Sequence, residues 1–329
     1  MHSFKHLLVF VGMVIGWGSL VAANAVKDAP PLGEKRVIRG ITYATVGTLE
    51  LKLDLHLPTA KPERPLPVVL WLHAGGWREG GRGFCPIANL AKEGYAVASV
   101  SYRLSGQAKF PAQIEDCKAA VRWLRAHAAE YSLDPEHIGA CGESAGGHLA
   151  ALLGVSGGNS ALEGKVGGNE TFSSRVQAVV ALCAPTDFTS MLGRARERSF
   201  WAALGTSGSF SEAKYTFARN CALEKLFGGP VTRYAELVRL ASPAVHVSPG
   251  DAPVLLFHGR GDQLIPLSQS EEFLRALEQA GVEARLEVIE TNTHGFGRFP
   301  PDMMSATRAF FNRHLKSSMP SPDGVRNTE

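Results

Sequence analysis

The fold is decided by residues 137–153, His137-Ile138-Gly139-Ala140-Cys141-Gly142-Glu143-Ser144-Ala145-Gly146-Gly147-His148-Leu149-Ala150-Ala151-Leu152-Leu153. An apolar, strand-like run enters G-x-S-x-G, and a helix-forming run leaves it. This order puts Ser144 on a tight turn between strand and helix, with its hydroxyl projecting from the sheet. Gly142 and Gly146 suit such a turn, because a Cβ at either would crowd the neighbouring strand and helix. The helix that Ser144 opens directs its free N–H groups, and the positive end of its dipole, toward charge developing there. Ser144 is therefore the candidate nucleophile.

Working outward, residues 37–46 and 49–57 read as two strands, with Leu49, Leu51, Leu53, Leu55 and Leu57 alternating with polar residues. A Pro-rich connector (58–67) leads to Val68-Val69-Leu70-Trp71-Leu72, a continuous apolar run expected of a central strand covered on both faces. Residues 95–102, 176–184, 254–258 and 286–289 repeat the strand pattern. Between Pro111 and Tyr131, Ile114, Cys117, Val121, Leu124 and Ala128 recur at helical spacing, and further helices follow from Pro266 and Met304. Strands alternating with helices predict an α/β fold: a doubly wound, mostly parallel sheet with an antiparallel N-terminal lead-in. Residues 188–245 interrupt the alternation with an aromatic-rich insertion (Phe200, Trp201, Phe210, Tyr215, Phe217, Phe227, Tyr234). It reads either as a lid over the site or as a packed helical layer, and the two readings are compatible.

The length, 329 residues, suits one large domain, and a net charge of +3 gives no reason to expect nucleic acid or an anionic membrane surface as partner. Lys5 and His6 precede an apolar run over 7–22, and Ala23-Asn24-Ala25 is a small-x-small cleavage signal. Residues 1–25 thus read as a secretory signal peptide cleaved after Ala25, in preference to an uncleaved anchor, giving a secreted or periplasmic protein with no integral membrane association. Residues 26–36 are expected to be a mobile leader, 37–316 the domain and 317–329 a frayed tail. The five cysteines (Cys85, Cys117, Cys141, Cys183, Cys221) are odd in number and lack C-x-x-C spacing, which argues against a disulfide framework or a zinc site. Cys117, Cys141 and Cys183 lie in apolar runs and read as core thiols.

A serine hydroxyl is a poor nucleophile at neutral pH and needs a base. His294 follows the last strand on a short Gly-containing loop, Thr293-His294-Gly295-Phe296-Gly297, from which an imidazole can reach the turn. Asp262, after the strand ending at His258, is the candidate orienting acid, and the chain order Ser144, Asp262, His294 is that of a known hydrolase arrangement. Asp187 is the rival acid, or else a helix cap; Asp251 precedes its strand and lies at the wrong end. His73-Ala74-Gly75-Gly76-Trp77 follows the strand ending at Leu72, and its paired glycines let the backbone aim amides at an oxyanion, with the Ala145 amide as a further donor.

H-A-G-G-W (73–77), S-Y-R-L (101–104), F-P-A…D (110–116), G-E-S-A-G-G-H (142–148) and D-x-x-I-P (262–266), in that order, resemble the α/β-hydrolase esterases. Within them the chain is most similar to the branch related to hormone-sensitive lipase and bacterial feruloyl-esterase-like carboxylesterases, over about 37–315. The resemblance implies a Ser-His-Asp triad, an oxyanion hole, no cofactor and carboxylic esters as substrates. Ala74 stands where many members have glycine, so Gly75, Gly76 and Ala145 are the expected donors. Arg260 stands where a second acid often precedes the catalytic one, leaving Asp262 as the local choice. Glu143 is expected to brace the oxyanion loop, His73 and His148 to be structural, and Trp77 and Phe84 to line the substrate pocket. The expected substrate is a small-molecule or polysaccharide-linked ester. The alternatives are an acyl peptidase, formamidase or lactonase on the same residues, or a non-catalytic hydrolase-fold binding protein.

Overall fold

In the computed structural model, residues 33–190 and 220–316 are described. The expected signal peptide, most of the expected leader, the 191–219 part of the insertion and the expected tail lie outside them. Eight strands form one sheet in the order β1-β2-β4-β3-β5-β6-β7-β8. They are β1 (Lys35–Val46), β2 (Leu49–Pro58), β3 (Leu66–Leu72), β4 (Ala96–Val100), β5 (Leu133–Glu143), β6 (Ala178–Leu182), β7 (Val254–Gly259) and β8 (Ala284–Ile289). β1 and β2 pair antiparallel, β2 joins β4 antiparallel, and every pairing from β4 to β8 is parallel. The sheet is therefore doubly wound and mostly parallel, with the expected antiparallel lead-in.

Every residue of β3, β4, β6 and β7 is buried, because helices cover both faces of a parallel sheet. One face sends Val68, Leu70, Leu72 and Ile138 into the larger core. This core is closed by α1 (Ala112–Ala126), α2 (Ala145–Val155) and α4 (Ser268–Gln279). The other face sends Val69, Trp71, Val180 and Phe257 against Met303, Phe311 and Leu315, of which Met303 and Phe311 belong to α5 (Pro301–Phe311). Alternate residues of one strand thus serve two cores, which is why these runs read as continuously apolar.

Two departures from the sequence reading have local causes. The helix expected over 111–131 stops at Ala126: His127 stacks on Trp123 with ring centroids 4.1 Å apart, and a separate turn, Ala128–Tyr131, follows. In β2 the polar face is buried at Asp54 and His56, and Asp54 accepts hydrogen bonds from the Gly40 amide and from Arg82 Nε, both at 2.8 Å.

The described end of the insertion, 220–245, includes α3 (Ala235–Leu240) and packs onto the domain, with Leu223, Leu226, Phe227, Val238 and Ala241 buried. That part is a packed layer. No helix among the described residues is long and apolar enough to cross a membrane.

Candidate active site

Ser144 sits between the end of β5 and the start of α2 with φ 55° and ψ −116°, a conformation that a residue with a Cβ adopts only when its surroundings impose it. Two backbone bonds do so: the Ser144 amide donates to Leu182 O at 2.8 Å, and Ser144 O accepts from the His148 amide at 2.9 Å. The glycines around it leave no space for a side chain. A Cβ on Gly142 would strike the Gly146 carbonyl, and one on Gly146 would strike the carbonyls of Leu72 and His73. Close packing of the turn therefore brings the amide end of α2 against the end of β3, where the glycine loop begins.

In that loop Gly75, Gly76 and Trp77 all have positive φ (124°, 56° and 57°). The bend is closed by the amides of Arg78 and Glu79, which donate to Gly75 O at 3.0 and 3.2 Å. His73 anchors its start. Its carbonyl accepts from Tyr102 Oη at 2.8 Å, its ring stacks on Tyr102 at 4.2 Å, and its Nδ1–H donates to Ala74 O at 2.8 Å. Burial pushes the His73 imidazole below its ordinary pKa, so it stays neutral.

His294 Nε2 lies 2.8 Å from Ser144 Oγ, and its Nδ1 lies 2.7 Å from Asp262 Oδ2. A carboxylate only accepts, so Nδ1–H donates to Asp262 and Nε2 is free to accept the serine proton. The other Asp262 oxygen, Oδ1, accepts the amides of Leu264 and Ile265 at 2.9 and 3.0 Å, which fixes the carboxylate plane. The rival Asp187 is turned elsewhere: its Oδ1 accepts from the amide and hydroxyl of Thr189. It serves as a turn cap.

Three supporting residues have partners that no local sequence pattern shows. Glu143, buried beside the nucleophile, accepts the Phe296 amide at 2.5 Å. It therefore holds the loop that follows His294, in place of the oxyanion loop expected from the sequence, because Gly295 brings that backbone within reach. A Cβ on Gly295 would lie 2.8 Å from Glu143 Oε1. The buried Cys183 thiol lies beside the backbone of Gly259 and Gly295, and burial pushes its pKa up to about 12. His258, also fully buried, donates Nε2–H to Ile265 O at 2.8 Å and meets Ser270 Oγ through Nδ1 at 2.7 Å, so it braces the turn carrying Asp262. Cys183, Asp262 and His294 bring three possible metal-ligand atoms within 4.8 Å. Two of those residues are already hydrogen-bonded to each other and the thiol is held protonated, so the arrangement suits proton transfer better than metal binding.

The cavity in front of Ser144 measures about 410 Å³, and Gly75, Gly76, Trp77, Phe188, Leu223 and Ile265 are among the residues lining it. Trp77 is in the wall. Phe84 is not: it is 55% exposed outside this cavity, and its carbonyl accepts from Trp71 Nε1. An aromatic seven residues beyond Trp77 looked close in sequence, but the loop turns away at Gly80 and Gly81. The structure brings together Ser144, Asp262, His294, Gly75, Gly76, Ala145 and Trp77. The five cysteines are unpaired.

The BD-FAE family model matches residues 53–277, well over half of the chain. Esterase LipC of Mycobacterium tuberculosis is 28% identical over 228 residues, covering 68% of this chain and 51% of that protein. The chain spans about half the length of the curated relatives it matches first. Among solved structures, a truncated carbohydrate esterase from gut microbiota superposes with a TM-score of 0.69 at 26% identity, covering 87% of this chain and 98% of that one. A bifunctional GH43-CE protein of Bacteroides eggerthii gives a TM-score of 0.67 at 31% identity over 84% of this chain and 38% of that one. With the sheet order and the motif match in hand, the chain belongs to the BD-FAE family and is built on the α/β-hydrolase fold.

Proposed function

We propose that the protein is a serine esterase that hydrolyses carboxylic esters through an acyl-enzyme. The observation that carries this reading is the continuous line of two short hydrogen bonds, 2.8 Å from Ser144 Oγ to His294 Nε2 and 2.7 Å from His294 Nδ1 to Asp262 Oδ2. Ser144 Oγ attacks the ester carbonyl while its proton passes to His294 Nε2. The negative charge that forms on the carbonyl oxygen is held by the amides of Gly75, Gly76 and Ala145, where one such donor contributes about 3 kcal/mol. Collapse breaks the bond to the alcohol, which leaves with the proton from His294. Water then attacks the acyl-enzyme, losing its proton to His294, and the acid departs as Ser144 regains a proton. Asp262 keeps the imidazole in the required tautomer and steadies its charged form.

The substrate is assigned to short-chain or carbohydrate-linked acyl esters, with acetyl and feruloyl groups as the two chemical classes to compare. Its support is the likeness to a protein described as a carbohydrate esterase. Residues 1–25 are assigned as a cleaved export signal, which agrees with an extracellular polymer as substrate. The test is hydrolysis of p-nitrophenyl acetate, acetylated xylan and methyl ferulate by the wild type and Ser144→Ala. The wild type should be active, and Ser144→Ala should lose at least about a thousandfold in kcat. Activity retained by Ser144→Ala would overturn the assignment of the nucleophile.

A further inference from the structure

The proposed chemistry gives the cavity a direction. The leaving alcohol must lie beside His294 Nε2 to receive its proton, so the acyl chain runs away from His294. Trp77, Phe188 and Leu223, at 5%, 1% and 2% exposure, line the cavity together with Gly75 and Gly76. Trp77 directly follows Gly75 and Gly76, so it lines the cavity next to the proposed oxyanion donors.

Trp77 is held by its backbone and by its ring. Its indole Nε1–H donates to His148 Nδ1 at 3.2 Å, and its carbonyl accepts from the Ser105 amide at 2.7 Å. Edge contacts to His148 at 5.3 Å and Phe188 at 5.7 Å complete the cage. The His148 tautomer follows from its partners. An indole N–H can only donate, so Nδ1 is bare; the Ala241 carbonyl can only accept, so Nε2–H donates to it at 2.7 Å. Full burial keeps this ring neutral, with its pKa lowered to about 4. The same segment after α3 anchors Phe188, whose amide donates to Ser242 Oγ at 2.9 Å.

We propose that Trp77, clamped by His148, closes the acyl end of the cavity and makes the protein selective for compact acyl groups of the acetyl class over long or aromatic ones. Trp77 is the specificity-determining wall and His148 a positioning residue that acts through it. This deepens the esterase reading above and rests on it.

The experiment measures kcat/KM for p-nitrophenyl esters from acetate to octanoate in the wild type, Trp77→Leu, Trp77→Phe, His148→Leu and His148→Gln, with the melting temperature of each. The wild type should prefer acetate. Trp77→Leu should raise the octanoate-to-acetate ratio by about tenfold or more, the scale of one or two methylenes in an apolar pocket, and Trp77→Phe by less. His148→Leu should move the ratio the same way by releasing the ring. His148→Gln, whose amide can accept from Trp77 and donate to Ala241, should stay near the wild-type ratio. If Trp77→Leu does not fold, Trp77→Phe and His148→Leu carry the test. An unchanged ratio in the folded Trp77 variants overturns the proposal while leaving esterase activity standing. A His148→Leu variant that melts lower with no change in ratio removes His148 from it. A wild type inactive on every ester would instead defeat the esterase reading, and this inference with it.

Discussion

The two halves of the site are held by different means. On the nucleophile side the geometry is written into the backbone: Ser144 at φ 55°, the positive φ of Gly75 and Gly76, and two glycines whose Cβ atoms would strike neighbouring carbonyls. On the base-and-acid side the loops carrying Asp262 and His294 are held by side chains from elsewhere in the chain. Glu143 reaches the Phe296 amide and His258 the Ile265 carbonyl. The first half is fixed by what cannot fit. The second is fixed by partners that must be present, so single substitutions can loosen it by degrees.

That contrast can be broken from the top down. The largest effect is expected at the base: His294→Ala should lower kcat by about 10⁵–10⁶-fold, and Asp262→Asn by about 10⁴-fold, because the amide stabilises the wrong imidazole tautomer. Steady-state kinetics on a short ester checks both, and equal modest losses would place the base elsewhere.

Glu143 tests the side-chain half directly. Glu143→Ala removes the acceptor for the Phe296 amide and frees the loop behind His294, so kcat should fall by about 10–100-fold with KM little changed, as expected when the reacting groups lose their alignment. Glu143→Gln keeps an acceptor oxygen and should recover most of that loss. A KM effect of equal size, or no recovery in Glu143→Gln, would show that the carboxylate acts on the substrate.

The same contrast explains what could be read in advance. The turn at Ser144, the glycine loop, the sheet class and the positions of Asp262 and His294 were legible because steric limits and strand order leave local marks: glycines at fixed places, apolar runs of strand length, loop residues after them. Glu143 was visible but assigned to the wrong loop, since its partner, Phe296, is 153 residues away and no local pattern links them. His258 and Cys183 read as strand and core residues for the same reason. Phe84 was misplaced because nearness in sequence stood in for nearness in space.

His258 gives a smaller, graded effect. His258→Leu removes the donor to Ile265 O and leaves that carbonyl buried without its partner, costing about 1–3 kcal/mol of stability. A fall in kcat of up to about tenfold should accompany it as the Asp262 turn loosens. Denaturant melts alongside kinetics separate the two.

The smallest effect is one of pH. Burial lowers the pKa of His148 to about 4 from the ordinary 6.5, so the fold favours its neutral form. The stability this provides is complete above pH 6.5. It declines as pH falls toward 4, because the unfolded chain takes the proton first, a loss on the order of 3 kcal/mol. His56, likewise lowered to about 4, acts in the same direction. Unfolding midpoints at pH 7 and pH 4.5 should show a steep acid loss in the wild type and a shallower one in His148→Gln. Equal slopes would mean that His148 does not contribute to the acid loss.

The central claim is that Ser144 is the nucleophile, activated by His294. It is tested most directly by treating the protein with paraoxon, which phosphorylates activated serines, and mapping the adduct by peptide mass spectrometry. The account predicts one diethylphosphoryl group on Ser144, absent from Ser144→Ala and formed far more slowly in His294→Ala. An adduct on another residue, or ester hydrolysis that continues in protein fully modified at Ser144, would contradict it.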